Sequence, residues 1–237
     1  MYKETAQCQI CFLAHPNVYL PVMDLTHILF DLDDTLYPQE LGLMREIGRR
    51  IHLWLQKNLA LSEKEAIALR NVYIERHGTT LGGLVTERRQ IDVDDYLAFV
   101  HDVPVEQWVR PNPALAEMLA AIPLRQVVFT NSDRPHAGRV LRALGAAEQF
   151  EQIVGICELE LVNKPLPGAY QRVLQLLDVA GPACIFVDDR AVNLWPAREL
   201  GITTILVGVA PDEAPPGVDF VVGDVLEVGP LIRRLIR

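Results

Sequence analysis

The chain has few of several things, and each shortage excludes something. No apolar stretch is long enough to span a membrane. Positive charge is in deficit: 22 Lys and Arg stand against 31 Asp and Glu, a formal net charge of −9. That balance argues against a basic face for nucleic acid. It leaves room for a small phosphorylated substrate, because a divalent metal can reverse the local field. Cysteine is scarce, at Cys8, Cys11, Cys157 and Cys184. Cys8 and Cys11 with His15 nearby have a spacing that zinc or redox chemistry uses, but no fourth ligand is evident. They are read as free thiols of a reducing cytosol, which makes the expected location cytoplasmic. Lysine is as scarce, with only Lys3, Lys57, Lys64 and Lys164.

What is present fits a globular protein: half the residues are hydrophobic and 22% are charged over 237 residues. That length suits one large core, or a core with a smaller lobe. Residues 1–22 do not read as a signal peptide, since Lys3 and Glu4 precede a short mixed stretch broken by Pro16 and Pro21. They are read as an N-terminal extension, with the folded part starting near Met23.

Residues 30–36 read Phe-Asp-Leu-Asp-Asp-Thr-Leu after the apolar run Ile28-Leu29-Phe30. Asp31, Asp33 and Asp34 therefore stand at the end of an expected buried strand. Buried carboxylates need a cation or hydrogen bonds to offset their desolvation. In an open α/β sheet that edge is also where sites form.

After Pro38 the pattern turns helical. Leu43, Ile47, Ile51 and Leu55 fall at helical spacing over residues 39–58. Ser62 with Glu65 is a capping-box signature, and that helix should end at His77-Gly78. Residues 79–84, rich in glycine, read as a flexible turn, with further helices to about residue 108. Pro111-Asn112-Pro113 reads as a hinge leading into a helix at 113–122. Beyond it, strands and helices alternate: strands at 126–130, 152–156, 184–187, 203–207 and 219–222, and helices at 134–144, 167–179, 191–200 and 224–236. Such alternation means a parallel sheet covered on both faces. The helical segment interrupts the sheet after its first strand. The expected division is residues 1–22 as extension, 23–38 and 111–237 as core, and 39–110 as a helical lobe.

Four sites fall at or just after strand ends: Asp31 and Asp33, Thr130-Asn131-Ser132, Lys164, and Asp188-Asp189. Parallel strands bring them to one edge, and each type suits phosphoryl transfer. A carboxylate can be the nucleophile. A second one can move the proton of the leaving oxygen. Hydroxyl, backbone N–H and ammonium groups hold phosphoryl oxygens. Hard oxygen ligands with an open position indicate Mg²⁺. Lys164 is alone among the lysines in the α/β part, where a compact ammonium and an arginine are not interchangeable.

With those residues in this order, the chain closely resembles the haloacid dehalogenase-like hydrolase superfamily over roughly residues 25–225. The resemblance rests on Asp31-Leu32-Asp33-Asp34-Thr35, Thr130-Asn131, Lys164 and Asp188-Asp189. It implies an α/β, Rossmann-like parallel sheet core with an inserted all-helical cap of type 1. It implies Asp31 as nucleophile through an aspartyl-phosphate and Asp33 as general acid/base. Thr130, the Asn131 backbone and Lys164 would hold the phosphate. Mg²⁺ would lie against Asp31, the Asp33 backbone carbonyl, Asp189 directly and Asp188 through water. Asn193 stands where relatives often carry another acid. Dehalogenases of the superfamily lack the second aspartate, so Asp33 points to a phosphatase. Asp34 is expected only to support the turn with Thr35. The segment 77–84, with Leu36-Tyr37-Pro38, is similar to the pyrimidine 5′-nucleotidase branch. That makes a nucleoside 5′-monophosphate such as UMP or CMP the implied substrate, with Thr79 and Thr80 as contacts. A sugar-phosphate phosphatase or phosphomutase, and a catalytically silent phosphate-binding regulatory protein, are the competing readings. The oligomeric state is not legible.

Overall fold

Every residue of β1 (His27–Phe30) is buried, as an uninterrupted apolar run requires in a parallel sheet covered on both faces. The computed structural model describes residues 24–87 and 90–236. The expected extension, with Cys8 and Cys11, lies outside the described residues. After β1 come the helices α1 (Leu43–Leu59), α2 (Glu63–His77), α3 (Thr80–Glu87), α4 (Val93–Val100), α5 (Val105–Trp108) and α6 (Pro113–Ala120). Alternation then begins: β2 (Arg125–Phe129), α7 (Arg134–Leu144), β3 (Gln152–Val154), α8 (Pro167–Leu177), β4 (Cys184–Asp188), α9 (Ala191–Glu199), β5 (Thr203–Val207), β6 (Phe220–Val222) and α10 (Val228–Leu235).

The sheet order is β3-β2-β1-β4-β5-β6, and every pairing is parallel. The order reverses between β1 and β4, and the crevice outside the carboxyl ends at such a switch point is where ligands bind in this architecture. Alternate residues of each strand feed opposite cores. Ile28, Phe30, Val128, Ile185 and Val187 pack on one face; Leu29, Val127, Phe129 and Phe186 pack on the other.

The helical segment has an apolar cluster of its own, containing Trp54, Leu55, Tyr73, Leu84, Tyr96 and Val100. Leu43 and Ile47 at the start of α1, and Val103, Val105 and Val109 at the far end, join the main core instead. The block is therefore anchored where the chain enters and leaves it. The capping box is formed: the Ser62 N–H donates to Glu65 Oε2 at 2.8 Å, and Ser62 Oγ accepts from the Glu65 N–H at 3.4 Å.

Three local expectations change. The helix expected from residue 39 starts at Leu43, because Gln39–Leu41 form a separate 3₁₀ turn closed by Gly42 at φ 85°. The expected last helix divides into a 3₁₀ turn at Val225–Glu227 and α10. Residues 79–84 are largely helical rather than a flexible turn, since α3 covers Thr80–Glu87. The reason lies in packing. A Cβ at Gly83 would stand 2.2 Å from Tyr73 Cγ, and one at Gly82 would stand 2.4 Å from Asn163 Oδ1. The two glycines let the α3 backbone approach its neighbours; their value is the missing side chain.

Candidate active site

Asp31 follows β1 directly, and its N–H donates to Val187 O at 2.8 Å, which ties the first strand end to the fourth. Asp188 closes β4. One cation serves both carboxylates: Lys164 Nζ donates to Asp31 Oδ1 at 2.7 Å, to Asp188 Oδ2 at 2.8 Å and to Phe129 O at 2.9 Å. The ammonium also lies 5.0 Å and 4.8 Å from the ring centroids of Phe129 and Phe186. Asn131 fixes the lysine backbone by donating from Nδ2 to Lys164 O and accepting the Lys164 N–H at Oδ1. Thr130 is buried beside them, its Oγ1 accepting the Ser132 N–H at 3.1 Å.

Carboxylate oxygens of Asp31, Asp188 and Asp189 lie within 4.8 Å of one another. Three acids around one ammonium leave the site short of positive charge. Burial pushes the Asp31 pKa well above the usual carboxylate range; Lys164 opposes this, and Asp188 and Asp189 add to it. Burial and Asp188 push Asp189 up to about 6. Burial works against the Lys164 ammonium, but Asp188 and Asp31 outweigh it and raise its pKa. Hard oxygen donors in an electron-rich, partly open cluster fit Mg²⁺. Asp188 is the least free of the three, because Asn193 Nδ2 lies 3.0 Å from each of its oxygens and the Arg190 N–H donates to it at 2.8 Å. Asp189 keeps more freedom. Its Oδ1 meets only Thr35 Oγ1 at 3.3 Å, and the same hydroxyl lies 3.2 Å from Asp31 Oδ2.

Asp33 stands apart from that cluster. Tyr37 Oη donates to Oδ1 at 2.6 Å, Ser132 Oγ donates to Oδ2 at 2.6 Å, and His136 Nε2 lies 3.2 Å from Oδ1. Burial opposes its charge, yet the His136 imidazole with the Ser132 and Tyr37 hydroxyls outweighs burial and holds the carboxyl below the usual range. His136 stacks on His101 with centroids 4.4 Å apart, and His101 Nδ1 lies 3.2 Å from Asp133. His136 holds no place in the sequence-based reading; Ser132 stands there only as the end of the Thr130-Asn131-Ser132 segment and Tyr37 only in Leu36-Tyr37-Pro38, and neither is given a role. The signals available were the nearness in sequence of Tyr37 to Asp33 and of Ser132 and His136 to Asn131.

Asp34 turns the chain at φ 62°. Burial and the neighbouring acids push its pKa up to about 7, and its buried Oδ1 has no hydrogen-bond partner. Thr35, by contrast, links Asp31 to Asp189.

A cavity of about 670 Å³ opens over this edge. Asp31, Asp33, Thr130, Lys164 and Asp189 line it below, and the helical block lines it above with Gly48, His52, Arg70, Thr79, Thr80 and Tyr96. Thr79 and Thr80 are therefore brought to the same cavity. Thr79 Oγ1 accepts the Gly82 N–H at 2.9 Å, and Thr80 is buried.

A family model described as haloacid dehalogenase-like hydrolase matches residues 25–201. Phosphate metabolism protein 8 of Saccharomyces cerevisiae is 26% identical over 192 residues, 75% of this chain and 60% of that protein. Phosphatase MT3486 of Mycobacterium tuberculosis is 30% identical over 138 residues, 58% of this chain and 59% of that protein. The chain thus spans about three fifths of the length of these two relatives. Among solved structures, L-2-haloacid dehalogenase from Xanthobacter autotrophicus superposes with a TM-score of 0.58 at 18% identity, covering 88% of this chain and 98% of that one. A HAD phosphatase from Thermococcus onnurineus gives 0.56 at 18% identity with the same coverages. At that identity the structures share the fold and nothing finer is carried over.

Proposed function

Because this chain belongs to the haloacid dehalogenase-like hydrolases, we propose that it is a Mg²⁺-dependent phosphomonoesterase working through an aspartyl-phosphate. The observation that carries this reading is Asp33, a second carboxylate two residues after the nucleophile candidate and gripped by Tyr37, Ser132 and His136. A dehalogenase has no leaving oxygen to protonate, so it has no use for that group. The phosphatases among the relatives are in keeping with it.

Asp31 attacks phosphorus while Lys164, Thr130 and the Asn131 backbone hold the phosphoryl oxygens. The leaving oxygen takes its proton from Asp33. Water then attacks the phosphoryl group and gives its proton to Asp33, releasing inorganic phosphate and restoring both carboxyls. Because the Asp33 carboxyl is held ionised in the free site, the proton it gives the leaving oxygen is one it first takes from the monoanionic phosphate ester. Asp31, Asp189, Asp188 through water and the Asp33 backbone carbonyl would hold Mg²⁺, which screens the acids from the phosphate and supports the charge of the transferring group.

Residues 39–110 serve in this reading as a cap that closes over the cavity and excludes water. A cavity of about 670 Å³ accepts a nucleoside 5′-monophosphate. With the resemblance at residues 36–38 and 77–84, that makes pyrimidine nucleotides the first substrates to try, with Thr79 and Thr80 lining their path. A sugar phosphate fits the same volume.

Phosphate release from p-nitrophenyl phosphate and a panel of nucleoside monophosphates, with Mg²⁺ and with EDTA, tests the reading. Turnover should need the metal and vanish in Asp31→Asn. Activity retained in Asp31→Asn would refute the nucleophile, and activity indifferent to EDTA would refute the metal.

A further inference from the structure

Among the described residues, Arg70 has no carboxylate counterion. It lies on α2, half-buried, and its buried Nε has no hydrogen-bond partner. Burial lowers its pKa. One turn away across the helix pair, the buried His52 Nε2 is also unpartnered. Burial first, and then the Arg70 charge, lower the His52 pKa. Both side chains line the cavity that Asp31 and Lys164 floor.

The other arginines of the block facing this space are already engaged. Arg49 holds Glu46 through two bonds of 2.8 and 2.7 Å, and Arg45 donates to Glu40 O. Arg70 also has a prepared seat. A Cβ at Gly48 would stand 3.2 Å from Arg70 Nη2, so the glycine on α1 leaves room for the guanidinium. An unpaired charge taken partly out of water is costly, and such groups are paired or neutralised unless a ligand completes them. A guanidinium presents a fork of donors that matches a carboxylate or phosphate.

We propose that Arg70, with His52 beside it, is an anion subsite in the helical block, and that the preferred phosphomonoester carries a second acidic group, a phosphate or a carboxylate, at the end away from the scissile phosphate. This rests on the phosphomonoesterase reading and narrows its substrate class. A plain nucleoside 5′-monophosphate leaves the subsite empty. A nucleoside bisphosphate, a sugar bisphosphate or a phosphorylated acid fills it.

Matched pairs test this: a nucleoside 5′-monophosphate against its 3′,5′-bisphosphate, a hexose phosphate against the 1,6-bisphosphate, and a phosphorylated carboxylic acid against its amide. Wild-type kcat/KM should favour the member with the second anion in at least one pair, by roughly ten- to a hundredfold, as a charged hydrogen bond supports. The pair that shows it names the source of the anion. Arg70→Gln should bring that ratio to about one, and Arg70→Lys should recover part of it. Arg70→Met should raise the melting temperature of the ligand-free protein, because it removes an unpaired, half-buried charge. A group that merely supports the fold would lower it on removal. Wild-type ratios near one in all pairs, or an equal loss on both members in Arg70→Gln, would overturn the proposal.

Calorimetric binding of the same pairs separates the two levels. If phosphate is released from no compound, the phosphatase reading fails. Tighter binding of the doubly anionic member that disappears in Arg70→Gln would still uphold the subsite, and its absence would sink it.

Discussion

Lys164→Met should unfold the protein at a much lower temperature, and the deficit should depend on Mg²⁺. The ammonium is fully buried and bonds two buried carboxylates and a carbonyl at 2.7–2.9 Å. Removing one partner of a buried ion pair costs about 3–5 kcal/mol, because the other charge is left uncompensated. Here two acids lose their partner, so the upper end applies. For a chain of this size each kcal/mol moves the midpoint by about 2–4 °C, so the expected fall is roughly 10–20 °C. Methionine keeps the apolar stem between Phe129 and Phe186, which confines the change to the charge. A cation among Asp31, Asp188 and Asp189 restores part of the lost compensation, so Mg²⁺ should raise the variant's midpoint more than the wild type's. Lys164→Arg should not rescue it, since the guanidinium fork is too large for a position that seats one ammonium between two rings. Thermal unfolding followed by circular dichroism, with Mg²⁺ and with EDTA, measures all of this. A variant melting within about 2 °C of wild type in EDTA would show that the buried charges are compensated in some other way.

Other outcomes can be checked in the same preparations. Burial raises the Asp189 and Asp34 pKa to about 6 and about 7, so each carboxyl holds its proton better folded than unfolded. Their contribution to stability is complete below the unfolded value near 4 and is lost as pH rises through 6 to 7. The midpoint shift caused by Mg²⁺ should therefore be larger at pH 8 than at pH 5, and equal shifts would contradict the assignment. Gly83→Ala should cost about 1–3 kcal/mol by overpacking against Tyr73, read by urea denaturation; a neutral result would mean that α3 moves aside easily. Asn193→Leu removes two contacts to Asp188 and should weaken Mg²⁺ affinity by roughly ten- to a hundredfold, as loss of a ligand's orienting partner does. Titration of metal-dependent turnover would detect it.

Much of the fold was legible because its signals are local. The apolar run before Asp31, the turn residues and the alternation beyond residue 123 are properties of neighbouring residues. The site was legible where its residues follow strand ends, because parallel strands bring those ends together whatever lies between. The grip on Asp33 was not. Ser132 and His136 are 99 and 103 residues away from it, and nothing in a serine or histidine near a helix start announces which carboxylate it will meet. The glycines of α3 misled for the opposite reason. Sequence reading credits glycine with backbone freedom, whereas here Tyr73 and Asn163 demand the absence of a side chain. Arg70 carries no motif, and its lack of a partner is visible only in three dimensions.

Asn163 adjoins Lys164 and donates from Nδ2 to His77 O at 2.9 Å and to Lys164 O at 2.7 Å. The same side chain is what a Cβ at Gly78 or Gly82 would strike. The helical block is thus not a module that can be exchanged at its two chain connections alone. A chimera carrying another block would need residues 77–83 to keep their fit to Asn163. Without it, a graft intended only to change the substrate would also loosen the loop that presents Lys164.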